Sequence, residues 1–290
     1  MAINRDTVGY GIALGVLAYG VFGLHDAAIK LLVADLSAWQ VMFCRAVVVL
    51  TGCLCIGRGR LVARMLETPL RWVLAGRAVI TLIAWIAYYT AARSMGLAQL
   101  ITLYFAAPIA VTLMASRILG ETVTPIRWAA VWIGFAGVML AADPFGVRLS
   151  PAAALVLIAA ALWGYATILM RQIARREPSL LQMAFNNATF LPISAAACAW
   201  TWETPDWDHV PLLLGVGALG GTAQFLVFEM ARRTPASVMA SVEYTGLVWA
   251  FLLGWAIWGD VPTPPVWAGA ALIAASGGVL FWAERRGVAR

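Results

Sequence analysis

Histidine is nearly missing from this chain. Only His25 and His209 occur in 290 residues. That leaves no H-E-x-x-H run and no Ser–His arrangement, so the usual machinery of hydrolysis is not on offer. Charge is scarce too: Asp, Glu, Lys and Arg make up 12%, about half of what a soluble domain carries. The four cysteines, Cys44, Cys53, Cys55 and Cys198, fall in apolar runs without CxxC or His-linked spacing. They are expected as free thiols packed like small apolar groups, and no metal or cofactor is expected. Short segments of alternating polarity are also lacking, which argues against a β-barrel.

What is present is apolar. Hydrophobic residues make up 62% of the chain, and the mean hydropathy is +0.85. The apolar runs each approach the ~20 residues that carry a helix across a bilayer. Ten spans are expected, at 8–32, 38–57, 70–92, 96–117, 124–142, 151–173, 180–201, 210–232, 236–258 and 264–283. The first is expected to be a membrane helix, not a removable leader, because it is long and Gly-rich.

The formal charge of +6 comes from arginines in short connections such as "GRGRL" and "RREPS". Such clusters fix orientation, and nucleic acid is not an expected partner. Their bias predicts that both termini are cytoplasmic. The acidic loop "WETPDWDHV" then faces outward, with Trp200, Trp202 and Trp207 at the headgroup level.

The chain repeats itself. At a shift of 139 residues "GETVTPIRW" (Gly120–Trp128) overlays "GDVPTPPVW" (Gly259–Trp267), and Gly76 meets Gly215. Nearer the start of each half the shift is about 142, matching Gln40 with Gln182 and Phe43 with Phe185. Residues 1–145 and 146–290 are therefore expected to be two five-helix repeats. Five is odd, so the second runs upside down. The fold class is all-α integral membrane, ten transmembrane helices in two inverted five-helix repeats, with any site near the midplane between them.

Ten helices in two fives, Gly-Glu and Gly-Asp after the fourth and ninth, and Gly-rich fifth and tenth helices resemble the EamA-type branch of the drug/metabolite transporter superfamily. Arg45 in "FCRAVV" and Pro108 in "FAAPIAVTL" match its pattern as well, whereas Leu247 stands where a second such proline would be. Within that branch the chain looks most like the YddG exporters of aromatic and other apolar amino acids. The resemblance implies export from the cytoplasm by alternating access, without ATP hydrolysis.

Candidate site residues follow from polarity and aromaticity at membrane depth. Trp163, Trp85, Tyr104 and Tyr244 lie well inside spans, either as helix packing or as a wall on which a flat substrate stacks. Pro108 frees the carbonyl of Tyr104, which in lipid must find protein, water or substrate. Asn186 and Asn187 are ~100° apart on one helix, so one faces a cavity at most. Gln224 is either cavity-facing or a link between helices. Arg45 is an intramembrane cation, and Arg77 is expected to snorkel to the surface. His25 and Asp26 are expected to end the first helix, with Lys30 at ion-pair spacing from Asp26. Glu243 overlays Tyr104 in the repeat. At ~12 Å depth it is expected to be protonated, paired or wetted by a cavity. Glu243, His25 and Arg45 are the gating or proton-handling candidates.

The sequence thus points to a secondary transporter of a small molecule in an inner membrane. The narrower expectation is an exporter of aromatic and apolar amino acids, or of flat cationic compounds. The alternatives are a carrier of another metabolite or drug, and an intramembrane enzyme or scaffold.

Overall fold

The computed structural model describes residues 5–107, 110–111, 114, 125–142, 150–174, 176–233, 242–243 and 245–285. Ten helices appear among the described residues. They are α1 (Arg5–Asp35), α2 (Ala38–Glu67), α3 (Arg71–Ala92), α4 (Leu97–Tyr104), α5 (Pro125–Ala142), α6 (Pro151–Ala174), α7 (Ser179–Thr201), α8 (His209–Arg233), α9 (Thr245–Trp258) and α10 (Pro264–Arg285). Five of them, α1, α2, α3, α6 and α8, are each long and apolar enough to cross a bilayer. Val16, Leu17, Trp132, Ile158, Leu252 and Trp255 face outward from the spans, as a lipid-contacting surface requires.

The packing follows the repeat. α1 lies against α8, as its counterpart α6 lies against α3. α1 also touches α9, as α6 touches α4, while α2 pairs with α7, α4 with α9 and α5 with α10. Advancing every label by five maps this contact set onto itself, which is a pseudo-two-fold arrangement. Glycines open the seam along α1: a Cβ on Gly15 would sit 2.2 Å from Met230 Sδ, and one on Gly23 2.9 Å from Trp249 Cβ. Only residues without a side chain allow so close an approach.

Two matched glutamines show the inversion directly. Gln40 donates to the Glu203 carbonyl at 2.7 Å and accepts from the Glu203 N–H at 3.0 Å, clamping the α7–α8 connection. Gln182 accepts from Arg77 at 3.1 Å and donates to the Glu177 carbonyl at 3.3 Å, clamping the α6–α7 connection. Successive connections lie at opposite ends, so one residue of the repeat serves both ends of the bundle.

Three expectations need correction. α1 does not end at His25 and Asp26 but continues to Asp35, because "AAIKLLVAD" holds no residue that breaks a helix. α2 does not stop at residue 57; a kink at Arg58 precedes further helix to Glu67. Arg77 does not reach the surface. It is 2% exposed, held by Gln182 and lying 5.3 Å from the Phe228 ring.

Candidate functional site

A cavity lies between the two halves, with about 770 Å³ free of protein atoms including its mouth. Its walls come from α1, α3 and α4 of the first half and α6, α8 and α9 with the preceding turn of the second. These two sets of helices are again counterparts. Tyr104 and Glu243, matched in the repeat, both line it.

Aromatic rings dominate the walls. Trp85 and Trp163 have centroids 6.2 Å apart at 32°, and Trp85 also touches Tyr89 at 6.1 Å. Tyr88 and Tyr104 meet edge to face at 5.1 Å. Tyr19, Phe22 and Phe105 complete the aromatic lining. Trp85, Tyr88 and Tyr89 share one face of α3 through their spacing of three and four residues. The regular part of α4 ends at Tyr104, four residues ahead of Pro108, which lies outside the described residues.

The polar part of the lining is short and mostly acidic. Asp26 accepts from His25 Nδ1 at 3.0 Å through one oxygen, and from the Tyr88 hydroxyl at 3.3 Å through the other. His25 Nε2 lies 3.4 Å from the Tyr89 hydroxyl. Glu243 lines the same cavity as Tyr104 and Tyr19. Asp26 therefore belongs to the cavity, and the expected Asp26–Lys30 pairing is replaced by another. Lys30, one turn farther along α1, pairs with Asp260 at 3.0 Å and lies 4.2 Å from the Trp258 ring. Asp260 is held by the turn at Gly259, whose φ of +66° suits glycine and lets the Asp260 N–H reach the Gly254 carbonyl.

Behind the wall lies a second polar layer. Arg45 is fully buried; its guanidinium carbon is 3.7 Å from the centroid of Trp85, and it donates to Gln224 Oε1 at 3.5 Å. Its Nε and a terminal nitrogen meet no acceptor among the described residues. Gly220 permits this arrangement, since a Cβ there would be 2.8 Å from both Arg45 Nε and His25 Nε2. Asn186 and Asn187 are fully buried on α7 and neither lines the cavity. Asn187 donates to the Met183 carbonyl at 2.8 Å, whereas both polar atoms of Asn186 lack a partner among the described residues.

Of the residues expected from sequence, the structure gathers Trp85, Tyr104, Trp163, His25 and Glu243 around one cavity. It sets Arg45 behind the Trp85 ring with Gln224 bonded to it, and it leaves the two asparagines out of the lining. Tyr244 lies outside the described residues. Phe22, Tyr88 and Tyr89 were missed; the i, i+3, i+4 spacing of Trp85, Tyr88 and Tyr89 was the available signal. Among the described residues no cluster of His, Cys, Asp and Glu is arranged to hold a metal.

The profile of the EamA-like transporter family matches residues 9–142 and again 150–282. A riboflavin transporter from Rhizobium johnstonii is 27% identical over 215 residues, covering 74% of this chain and 71% of that one. The pseudopaline exporter CntI of Pseudomonas aeruginosa is 25% identical over 276 residues, covering 92% and 94%. A solved crystal structure shares the fold, with a TM-score of 0.69 at 18% identity over 98% of this chain and 99% of that chain. A ring-walled cavity between two inverted halves and a profile that matches each half lead to one statement: the chain belongs to the EamA-like transporter family, multi-pass membrane carriers of small molecules.

Proposed function

We propose that the protein exports aromatic and other apolar amino acids from the cytoplasm across an inner membrane, by alternating access around the cavity between its halves. The observation that carries this reading is the cavity's composition. Trp85, Trp163, Tyr88 and Tyr104 offer flat surfaces, and Asp26 and Glu243 offer negative charge for an ammonium group. Arg45, one ring thickness from the cavity, supplies the opposite charge and makes the site dipolar, as a zwitterion demands. Stacking adds ~0.5–1.5 kcal/mol per aromatic pair beyond burial, which favours ring-bearing substrates over aliphatic ones. Glu243 and His25 are the cavity groups suited to exchange a proton for substrate. Gln224, bonded to Arg45, belongs to the same reading as part of the polar layer behind the wall.

A second reading has its own support. Two of the relatives are named as carriers of riboflavin and pseudopaline, and Trp85 with Trp163 sets two fused rings side by side in the cavity wall. Proteoliposomes loaded with labelled tryptophan distinguish the two. Amino-acid export predicts competition by phenylalanine and tryptophan and none by riboflavin. Export of labelled riboflavin, loaded in parallel, without export of tryptophan would transfer the assignment to flat heteroaromatic compounds. No competition by any aromatic compound would end both.

A further inference from the structure

The stretch after the second span carries a site of another kind. Residues 38–57 are twenty residues of α2, about 30 Å of helix, which is the thickness of the bilayer's hydrocarbon core. The helix then breaks at Arg58, which takes φ 51° and ψ −158° between Gly57 and Gly59. A non-glycine residue with positive φ is uncommon, and this one follows a stretch of helix already long enough to cross the hydrocarbon core. Helix resumes and runs to Glu67, so these nine residues have no hydrocarbon left to cross.

Their faces divide four ways. Leu61 and Met65, one turn apart, pack against the apolar cluster that includes Leu74 and Leu181. Val62 and Leu66, on the next edge, are 43% and 71% exposed. Arg60 and Arg64 flank the anchored side on the other edge and are also exposed, as are Ala63 and Glu67 on the face opposite it. An anchored side, an apolar edge and a basic edge are the marks of a helix lying in the interface between acyl chains and headgroups. Trp72 is 77% exposed on the following helix at the same end, with the Arg71 guanidinium 5.7 Å from its ring. Basic residues grouped beside the end of a span attract anionic lipid. Arg60 and Arg64 also repel each other at their one-turn spacing, and a phosphate between them relieves this.

We propose that residues 59–67 form a membrane-surface helix that binds anionic phospholipid headgroups through Arg58 and Arg60, with Arg64 shared between lipid and Glu177. The shared residue gives the lipid a route to the carrier. Arg64 Nε lies 3.4 Å from Glu177 Oε2, and Thr68 donates to Glu177 Oε1 at 2.6 Å. Thr68 Oγ1 in turn accepts the Leu70 N–H at 3.2 Å, at the start of α3. α3 carries Trp85 and Tyr88. A headgroup that draws Arg64 away from Glu177 therefore bears on the helix that forms the cavity's aromatic wall.

Lipid binding is measured by native mass spectrometry of the purified full chain, offered equal amounts of POPG and POPC. Wild type is expected to retain POPG at least threefold over POPC. R58Q/R60Q brings that ratio close to one, and charge-preserving R58K/R60K keeps it. If R58Q/R60Q does not yield folded protein, L66E supplies the second variant, with POPG retention expected to fall at least threefold. Equal retention of the two lipids by wild type, or an unchanged ratio in R58Q/R60Q or L66E, overturns the proposal. Displacement of POPG by inorganic phosphate assigns the arginines to a soluble anion and overturns it as well. None of these readouts depends on the substrate.

Discussion

Arg45 and Trp85 are stacked, guanidinium carbon to ring centroid, at 3.7 Å, and the ring separates a buried cation from the transport cavity. A desolvated cation–π contact of this kind is worth ~2 kcal/mol. It accounts for one face of the guanidinium and leaves two of its nitrogens without a protein acceptor among the described residues. So incomplete a set of partners marks a residue kept for something other than stability.

Replacing Arg45 by Met is therefore expected to leave thermal stability unchanged or raised. Transport of labelled tryptophan should fall at least tenfold. Unfolding in detergent and initial rates in proteoliposomes measure the two effects. A lower Tm with normal transport would make Arg45 a packing residue.

Trp163→Ala removes the ring that packs beside Trp85 in the cavity wall. Loss of one stacking contact of ~0.5–1.5 kcal/mol predicts that tryptophan competes about two- to tenfold less well. Leucine, which has no ring to stack, should lose less. Equal losses for both would show that the ring contributes only shape.

The Lys30–Asp260 pair is partly buried, at 15% and 36% side-chain exposure. Such a pair is worth roughly 0.2–1 kcal/mol. Lys30→Asp and Asp260→Lys are each expected to alter the transport rate, and the double exchange to restore most of it. Added salt should weaken the difference. Additive losses in the double variant would show that the two residues act separately.

Gly220→Ala pushes a methyl group to within 2.8 Å of Arg45 Nε and His25 Nε2. Crowding of this order costs ~1–3 kcal/mol, and it displaces the polar layer behind the cavity. Alanine at Gly76 or Gly215 meets nothing within 4 Å and is expected to be neutral or to stabilise by up to ~1 kcal/mol. Thermal unfolding of the three variants orders them.

Glu243→Gln keeps the shape of a cavity-lining side chain and removes its proton exchange. If substrate leaves in exchange for a proton at this residue, wild-type export responds to an imposed pH difference and the variant does not. The same response in both would move the proton to His25 or remove it from the mechanism.

Much of this architecture was legible because the bilayer sets a single length scale. Apolar runs of ~20 residues announce spans, and an odd number per repeat dictates inversion. Tyr104 and Glu243, matched by a simple shift, do share one cavity. What the sequence concealed was which helices touch. Lys30 is four residues from Asp26 and 230 from Asp260; only the packing of α1 on α9 brings the distant acid closer. Asn186, Asn187 and Gln224 were all candidates for the cavity, yet rotation about each helix axis keeps all three out of its lining. The helix after Arg58 was hidden by its own glycines, since "GRGR" has the composition of a turn and the structure places a kink there followed by two more turns.

The contact between α1 and α8 bears on how the protein is made. α1 is made well before its chief neighbour, which begins only at His209. Until then the Gly-rich face of α1 has lipid, or an insertion chaperone, in place of Met230 and Val242. Closure of this seam thus waits for α8 to emerge from the ribosome. Truncations ending before His209 are expected to be recognised by membrane quality control as unassembled, even though they contain one entire repeat.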